Sequence, residues 1–251
     1  MSSSNASPVS LQDGIDALTD AVARLGLTLV IERDFDRLVR FLESRGSFAN
    51  PSFDPRRSRL GPEDFWLAAV EPDGSIVASS AEKVIETEDL MEEVATGRIW
   101  YEGGFARSFG VERIATIAVS TRLSGRLSHS GSTYVVPAHR RSGLAMFLPW
   151  LSRALSFRNA GCLANTGFVR QSLADTPVPV RSYGYAHVEK CLDGWFPPQG
   201  GSEILYLCWI TAEEFHAKLA TLPEHPRHPV PLPAARRLRP VPVPARVAPA
   251  G

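Results

Sequence analysis

The chain has no excess of either charge: Lys and Arg number 27, Asp and Glu 27, and the formal net charge is zero. No global field draws it to nucleic acid or to an anionic membrane, and neither is expected as a partner. Cysteine is scarce. Cys162, Cys191 and Cys208 are far apart and none forms a Cys-x-x-Cys pair, so reduced, buried thiols are expected. Long hydrophobic runs are missing, which excludes a bilayer-spanning helix. Residues 1–10 are Ser-rich and lack the basic patch and apolar run of a secretory signal, so a cytoplasmic location is the expectation. Six histidines are present, but no pair stands at a ligand spacing with a third Cys, His or Asp close by, and no metal is expected. Neither a Gly-x-Ser-x-Gly elbow nor a Walker-type loop occurs, and Ser130 and Ser132 beside His129 have no partner acid.

What is present is an alternation of helix and strand signals. Leu11, Ile15, Leu18, Val22 and Leu25 make a helical stripe, with Ser10 as its cap, Asp13 three residues on and Gly26 at its end. Leu27–Ile31 reads as a strand. Asp34 opens a helix with Phe35, Leu38, Val39 and Leu42 inward, closed by Gly46. Residues 47–62, with three prolines and Arg56, Arg57 and Arg59, read as a loop or a short helix inside one. Phe65–Val70 and Ser75–Ile85 are strand runs joined through Asp73-Gly74, a hairpin signal. Residues 88–130 are expected to form a long insertion, with a helical turn at Leu90–Val94, a strand at Ile114–Val119 and a polar Gly/Ser-rich stretch at Gly125–Gly131.

Ser132–Val136 is a strand run that stops at Pro137. A helix follows over about Arg141–Asn159, striped by Leu144, Leu148, Leu151 and Leu155. The stripe keeps its phase across Pro149, so the helix should continue through that residue with a bend. Cys162–Val169, Tyr185–Cys191 and Ile204–Ile210 are strand runs, and Ala212–Leu219 a final helix. Residues 1–10 are expected to be disordered, 11–221 to form one domain, and 222–251 to be a disordered or polyproline tail rich in Pro and Arg. Consecutive hairpins mixed with helices exclude a regular βαβ sheet and give an α+β class.

The segment that carries chemistry is Val136-Pro137-x-x-Arg140-Arg141-Ser142-Gly143-Leu144-Ala145. It lies between a strand end and a helix start, where backbone N–H groups lack helical partners and point along the positive end of the axis. Such a nest suits a phosphate or pyrophosphate. Gly143 lets a ligand approach the backbone, Ala145 keeps the wall small, and Arg140 and Arg141 add charge-assisted donors.

This segment resembles the coenzyme A-binding motif of the GNAT superfamily of N-acetyltransferases, which runs from the fourth strand into the following helix as Gln/Arg-x-x-Gly-x-Gly/Ala. Tyr183-Gly184-Tyr185 is similar to the family's Leu-Gly-Phe signature. The resemblance covers roughly residues 27–212. It implies a central mixed, mostly antiparallel sheet flanked by helices, with strands 4 and 5 splayed around an acyl-CoA. It implies acetyl-CoA as cosubstrate, held by Val135, Val136, Arg140, Arg141, Ser142, Gly143, Leu144 and Ala145. The N–H groups of Val135 and Val136 would bind pantetheine and polarise the thioester carbonyl. A primary amine on a small molecule or protein would attack directly. A homodimer is compatible with it.

Two departures from the family pattern stand out. Val180 occupies the place where many members carry an acid tyrosine, and Pro177 and Pro179 break the usual fourth helix. The candidate catalytic groups are therefore Tyr183, His187 and Glu189, the last two on one strand face if the run is regular; Glu82 and Glu86 are equally placed to line a groove. Residues 88–130 are expected to cover one end of the cleft between strands 4 and 5. The alternative is a non-catalytic GNAT-like module that binds acyl-CoA or a protein partner.

Overall fold

A computed structural model describes residues 10–220; what was expected of 1–9 and of 221–251 lies outside the described residues. Helix α1 (Leu11–Ala23) begins with Ser10 accepting from the Asp13 N–H while Asp13 accepts from the Ser10 N–H, so two orphan amides are satisfied at once. β1 (Thr28–Glu32) leads to α2 (Phe35–Ser44), capped by Asp34. β2 (Phe65–Val70) and β3 (Ile76–Thr87) form the hairpin through Asp73-Gly74, where Gly74 takes φ +89° and Asp73 accepts from the Ser75 N–H. Two short helices, α3 (Leu90–Thr96) and α4 (Gly104–Phe109), precede β4 (Gly125–Val135). α5 (Leu144–Ala160) crosses over to β5 (Ala164–Arg170). One helical turn, α6 (Gln171–Ala174), then β6 (His187–Phe196), β7 (Gly201–Thr211) and α7 (Ala212–Leu219) complete the order.

The seven strands lie in the order β1-β2-β3-β4-β5-β7-β6. Neighbours are antiparallel except β4 and β5, which run parallel. This is the mixed, mostly antiparallel sheet that the resemblance implies. The parallel ladder is short: Leu127, Ser128 and His129 pair with Ala164, Asn165 and Thr166, after which β4 continues along β3 and β5 along β7 without meeting. The cleft opens at that rung.

α5 packs on one face of the sheet and is itself covered by α1. From Phe147 to Phe157 every residue of α5 is buried, Pro149 included, and the helix begins at Leu144, a full turn before the proline. The opposite face carries Phe53, Trp100 and Phe105 against His129, Phe168 and Phe196.

Three expectations are corrected here. Ile114–Val119 is not a strand: its amides bond singly, Ile114 to the Ala95 carbonyl and Ile117 to the Cys191 carbonyl. The polar stretch Gly125–Ser130 is the first half of β4, so the excursion between β3 and β4 spans 88–124 rather than 88–130. α5 starts three residues later than Arg141, because Arg141 (φ +71°) and Gly143 (φ +95°) are left-handed.

Candidate active site

The Arg140–Ala145 turn joins the end of β4 to the start of α5. A 3-10 turn at Pro137–His139 ends β4, and Gly143 caps α5 without any side-chain hydrogen bond. The first helical bonds are those from Met146 and Phe147 to the Gly143 carbonyl. Among the described residues the N–H groups of Arg141, Gly143, Leu144 and Ala145 have no acceptor, so they form an open nest at the positive end of a 17-residue helix. Ser142 is different: its N–H and hydroxyl both turn back to the His139 carbonyl. Arg140 and Arg141 are exposed, and Arg140 Nε lies 3.4 Å from the Val135 carbonyl. His139 is held to Glu71 of the β2–β3 turn at 2.9 Å.

Of the two strand amides implied as pantetheine donors, only one is free for the task. The Val136 N–H bonds the Val77 carbonyl of β3. Alternation along a strand then turns the Val135 amide and carbonyl to the other side, toward the open cleft, which is where Arg140 finds the carbonyl. The Val136 N–H is thus not available as the implied donor. β4 also carries a bulge: Ala81 pairs with Gly131 and Ser79 with Tyr134, so two residues of β4 oppose Ser80. Ser132 takes φ +50° there, gives its carbonyl to the Ser79 hydroxyl, and keeps a buried hydroxyl without a partner.

On the α5 face of the last paired rung lies a polar cluster. Glu82 of β3 is fully buried and accepts from the Ser130 and Ser152 hydroxyls at 2.5 and 2.8 Å and from the Asn165 amide at 3.0 Å. Burial pushes its carboxyl up to about 7, against the pull of Ser130, Arg153, Ser152 and Asn165. Arg153, also fully buried, donates to Asn165 at 2.7 Å and to the Tyr183 carbonyl at 2.8 Å, and its guanidinium stands 4.4 Å over the Tyr185 ring. Its Nη2 has no partner. The Tyr185 hydroxyl lies over Gly167 of β5, 2.4 Å from where a Cβ would stand, and the Ser130 carbonyl lies 3.4 Å from the same point. Only glycine leaves room for that ring at the mouth of the cleft. Burial raises the Tyr185 phenol.

The opposite face is lined mainly by rings. His129 is fully buried, stacked on Phe53 (5.9 Å, 2° between planes) and tilted against Phe168 (5.3 Å). Its Nδ1 is 3.2 Å from the Thr166 hydroxyl, and Nε2 has no partner. Burial pulls its pKa down to about 3, with the charge of Lys83 adding to the effect. The 88–124 excursion packs on this face and reaches the cleft through Trp100, 5.2 Å from Phe168.

The three expected catalytic groups do not meet at the cleft. β6 is the edge strand, separated from β5 by β7. His187 bonds Glu214 at 2.8 Å and stacks on Trp209 at 3.6 Å. Glu189 shares that face, as its parity implied, and accepts from the Ser120 N–H and hydroxyl and from Trp209 Nε1. Those bonds hold its carboxyl below the usual range in spite of burial, and tie down the end of the excursion. His187 and Glu189 thus lie on the edge strand with these partners, away from the β4–β5 parting. Tyr183 is half-buried and contributes its carbonyl to Arg153. Glu86 ion-pairs with Arg126 near the closed end of the ladder. Tyr185, Arg153 and Asn165 of this buried cluster were not among the expected site residues; an arginine on the inner side of an apolar helix was the signal that pointed to a buried partner.

Among the described residues no helix is long and apolar enough to cross a membrane, and no group of three or more His, Cys, Asp or Glu side chains could hold a metal. No protein-family model matches the sequence, and no curated protein matches it. Among solved structures the chain is similar to NAA60 of Arabidopsis thaliana in complex with a bisubstrate analogue, at 16% identity over 73% of this chain and 98% of that one, with a TM-score of 0.47. It is similar to spermidine N-acetyltransferase of Vibrio cholerae in complex with CoA and spermine, at 9% identity over 76% and 98%, TM-score 0.45. A GCN5-related N-acetyltransferase of Kribbella flavida gives 14% identity over 75% and 99%, TM-score 0.40. At these values, what the site can do rests on its own geometry.

Proposed function

We propose that the chain is an acyltransferase that binds acetyl-CoA between β4 and β5 and transfers the acetyl group to a primary amine by direct attack. The observation that carries this reading is the conjunction of an open nest of four amides at the start of α5 with a parallel ladder that stops after three rungs. The nest and the exposed guanidinium groups of Arg140 and Arg141 would hold the pyrophosphate. The Val135 amide, directed into the cleft, would take pantetheine as a strand takes its neighbour. The Tyr185 hydroxyl, over Gly167 of β5, would be the proton donor to the leaving thiolate.

A variant must separate ligand loss from misfolding. Gly143 is unsuitable, since any side chain at φ +95° is strained and its Cβ would stand 2.7 Å from the Phe147 ring. Ala145 is exposed in the first turn of α5, so Ala145→Glu favours the helix dipole by about 0.3–1 kcal/mol while placing negative charge against the pyrophosphate. Calorimetry should show CoA binding to the parent and none to Ala145→Glu, with thermal stability equal or higher. Undiminished CoA affinity in the folded variant would remove the reading.

A further inference from the structure

We propose that the pocket between loop 54–58 and the 88–124 excursion binds an organic anion, a phosphate or carboxylate joined to a flat ring. None of its residues lies at the β4–β5 parting, and its test needs no acetyl transfer.

The basic run Arg56, Arg57 and Arg59 stands between α2 and β2. A carboxylate beneath it sets two of these side chains. Asp54 has 2% of its side chain exposed, while those of Arg56 and Arg57 are half exposed. Asp54 accepts from Arg56 Nε and Nη2, each at 2.8 Å, and ion-pairs with Arg57 Nε at 3.3 Å. One buried carboxylate thus fixes the direction of two guanidinium groups. The loop is fastened to the excursion. The Ser52 hydroxyl donates to the Ile99 carbonyl at 3.0 Å, and the Glu102 N–H to the Arg57 carbonyl at 2.7 Å. Beside this seam lies an open pocket of about 540 Å³, a size usual for small-molecule sites.

Arg56, Arg57 and Arg107 line the pocket with Tyr101 and Phe109, and Glu102 is the one carboxylate among the lining residues. Three guanidinium groups against one carboxylate leave the wall positive, and like charges around one cavity repel. Arg107 has no ion-pair partner among the described residues. Its stem lies over Gly103, where a Cβ would stand 2.8 Å from Cδ. An anion in the pocket relieves the repulsion and accepts charge-assisted hydrogen bonds from forks that suit phosphate or carboxylate. The rings supply the rest of the class. Tyr101 and Phe109 meet edge to face at 5.1 Å, and Phe105, in contact with both, is fully buried. Phe109 is 40% exposed, so this aromatic cluster turns one ring outward at the pocket wall. A bare inorganic anion leaves that ring in water and most of the volume unfilled. A flat apolar body attached to the anion covers it.

The test is calorimetry on the full chain carrying Ala145→Glu, whose added charge repels phosphate from the start of α5. The probes are phenyl phosphate, phenylacetate and inorganic phosphate. At least one of the two ring-bearing anions should bind about tenfold or more tightly than inorganic phosphate, and the better of the two tells phosphate from carboxylate. Adding Arg107→Glu, a change on an exposed side chain, should weaken that binding about tenfold or more. Phe109→Ala should bring the ring-bearing anion to the level of inorganic phosphate and leave inorganic phosphate unchanged. If Phe109→Ala does not fold, having lost its contacts with Tyr101 and Phe105, the Arg107→Glu comparison decides. No binding of either ring-bearing anion, no advantage over inorganic phosphate, or undiminished binding to Arg107→Glu overturns the inference.

Discussion

On the α5 face of the last β4–β5 rung a buried carboxylate is surrounded by three donors; on the other face of the same rung a buried imidazole is surrounded by rings. Both groups are shifted toward their neutral forms by the same cause, loss of water, yet they differ in what their neighbours offer. Glu82 lies in a hydrogen-bonded cluster of serines, Asn165 and Arg153, so its proton remains exchangeable near neutrality. His129 has one hydroxyl and two phenyl rings, and burial, with the charge of Lys83, pulls its pKa down to about 3. Desolvation alone does not decide whether a titratable group can serve as a proton store. The hydrogen bonds left to it decide.

The comparison breaks most sharply at Arg153. Arg153→Ala removes the guanidinium that faces Glu82 and bonds Asn165 and the Tyr183 carbonyl, and should destabilise the fold by about 3–5 kcal/mol, as removal of one member of a buried charged set does. Urea denaturation measures it; a loss under about 1 kcal/mol would mean that the cluster relaxes freely, in conflict with its full burial.

Next in size is the pH response of Glu82. Its folded pKa is raised from 4.5 to about 7, so the stability linked to its proton is full below about 4.5 and is lost as pH climbs through about 7. A rise of that extent corresponds to about 3 kcal/mol. Glu82→Gln keeps the shape and carries no charge, so relative to the parent it should gain stability between pH 5 and pH 8. Parallel stability curves for the two proteins would show that Glu82 does not titrate in that window. The His129 side should respond in the opposite sense: its depressed pKa contributes stability above about 6.5 that is lost as pH falls toward 3, and His129→Phe should flatten that acid limb.

The smallest effect is expected at Gly131. A Cβ there would stand 2.5 Å from the Phe53 ring and 3.0 Å from the Asn50 amide nitrogen, so Gly131→Ala must push Phe53 off His129. Overpacking of this kind costs about 1–3 kcal/mol. The same denaturation series checks it, and hydrogen exchange confined to β4 and the Pro51–Phe53 turn would localise it.

What could be read in the sequence was local. Ser10 with Asp13, Asp34, Asp73-Gly74 and the Arg140–Ala145 turn each declare themselves within a few residues, and each forms as read apart from the later start of α5. Gly125–Ser130 failed for a reason of pairing. Its hydroxyls and glycine look like a linker until Glu82 and Asn165, both far away in the chain, supply partners for Ser128 and Ser130. The parity of His187 and Glu189 was legible, since alternation is a local property, but their removal to the edge depends on β7 inserting between β5 and β6. Tyr185 stood in the sequence as the aromatic of a signature. The place of its hydroxyl depends on Gly167 of another strand.

The three-rung ladder between β4 and β5 has a mechanical consequence. Every other pair of neighbouring strands in the sheet is antiparallel and runs over five rungs or more, so the sheet amounts to two stiff leaves, β1–β4 and β5–β7, stitched along a short seam. α5 lies across both leaves as a splint, bonded to one through Ser152 and to the other through Arg153. A pantetheine chain threaded along the open part of the seam would lengthen the stitching by the amides it engages. Cosubstrate would then be part of the fold as well as of the reaction. The melting temperature should rise with its concentration as linkage requires, and the Val135 amide should exchange its hydrogen more slowly when the seam is filled.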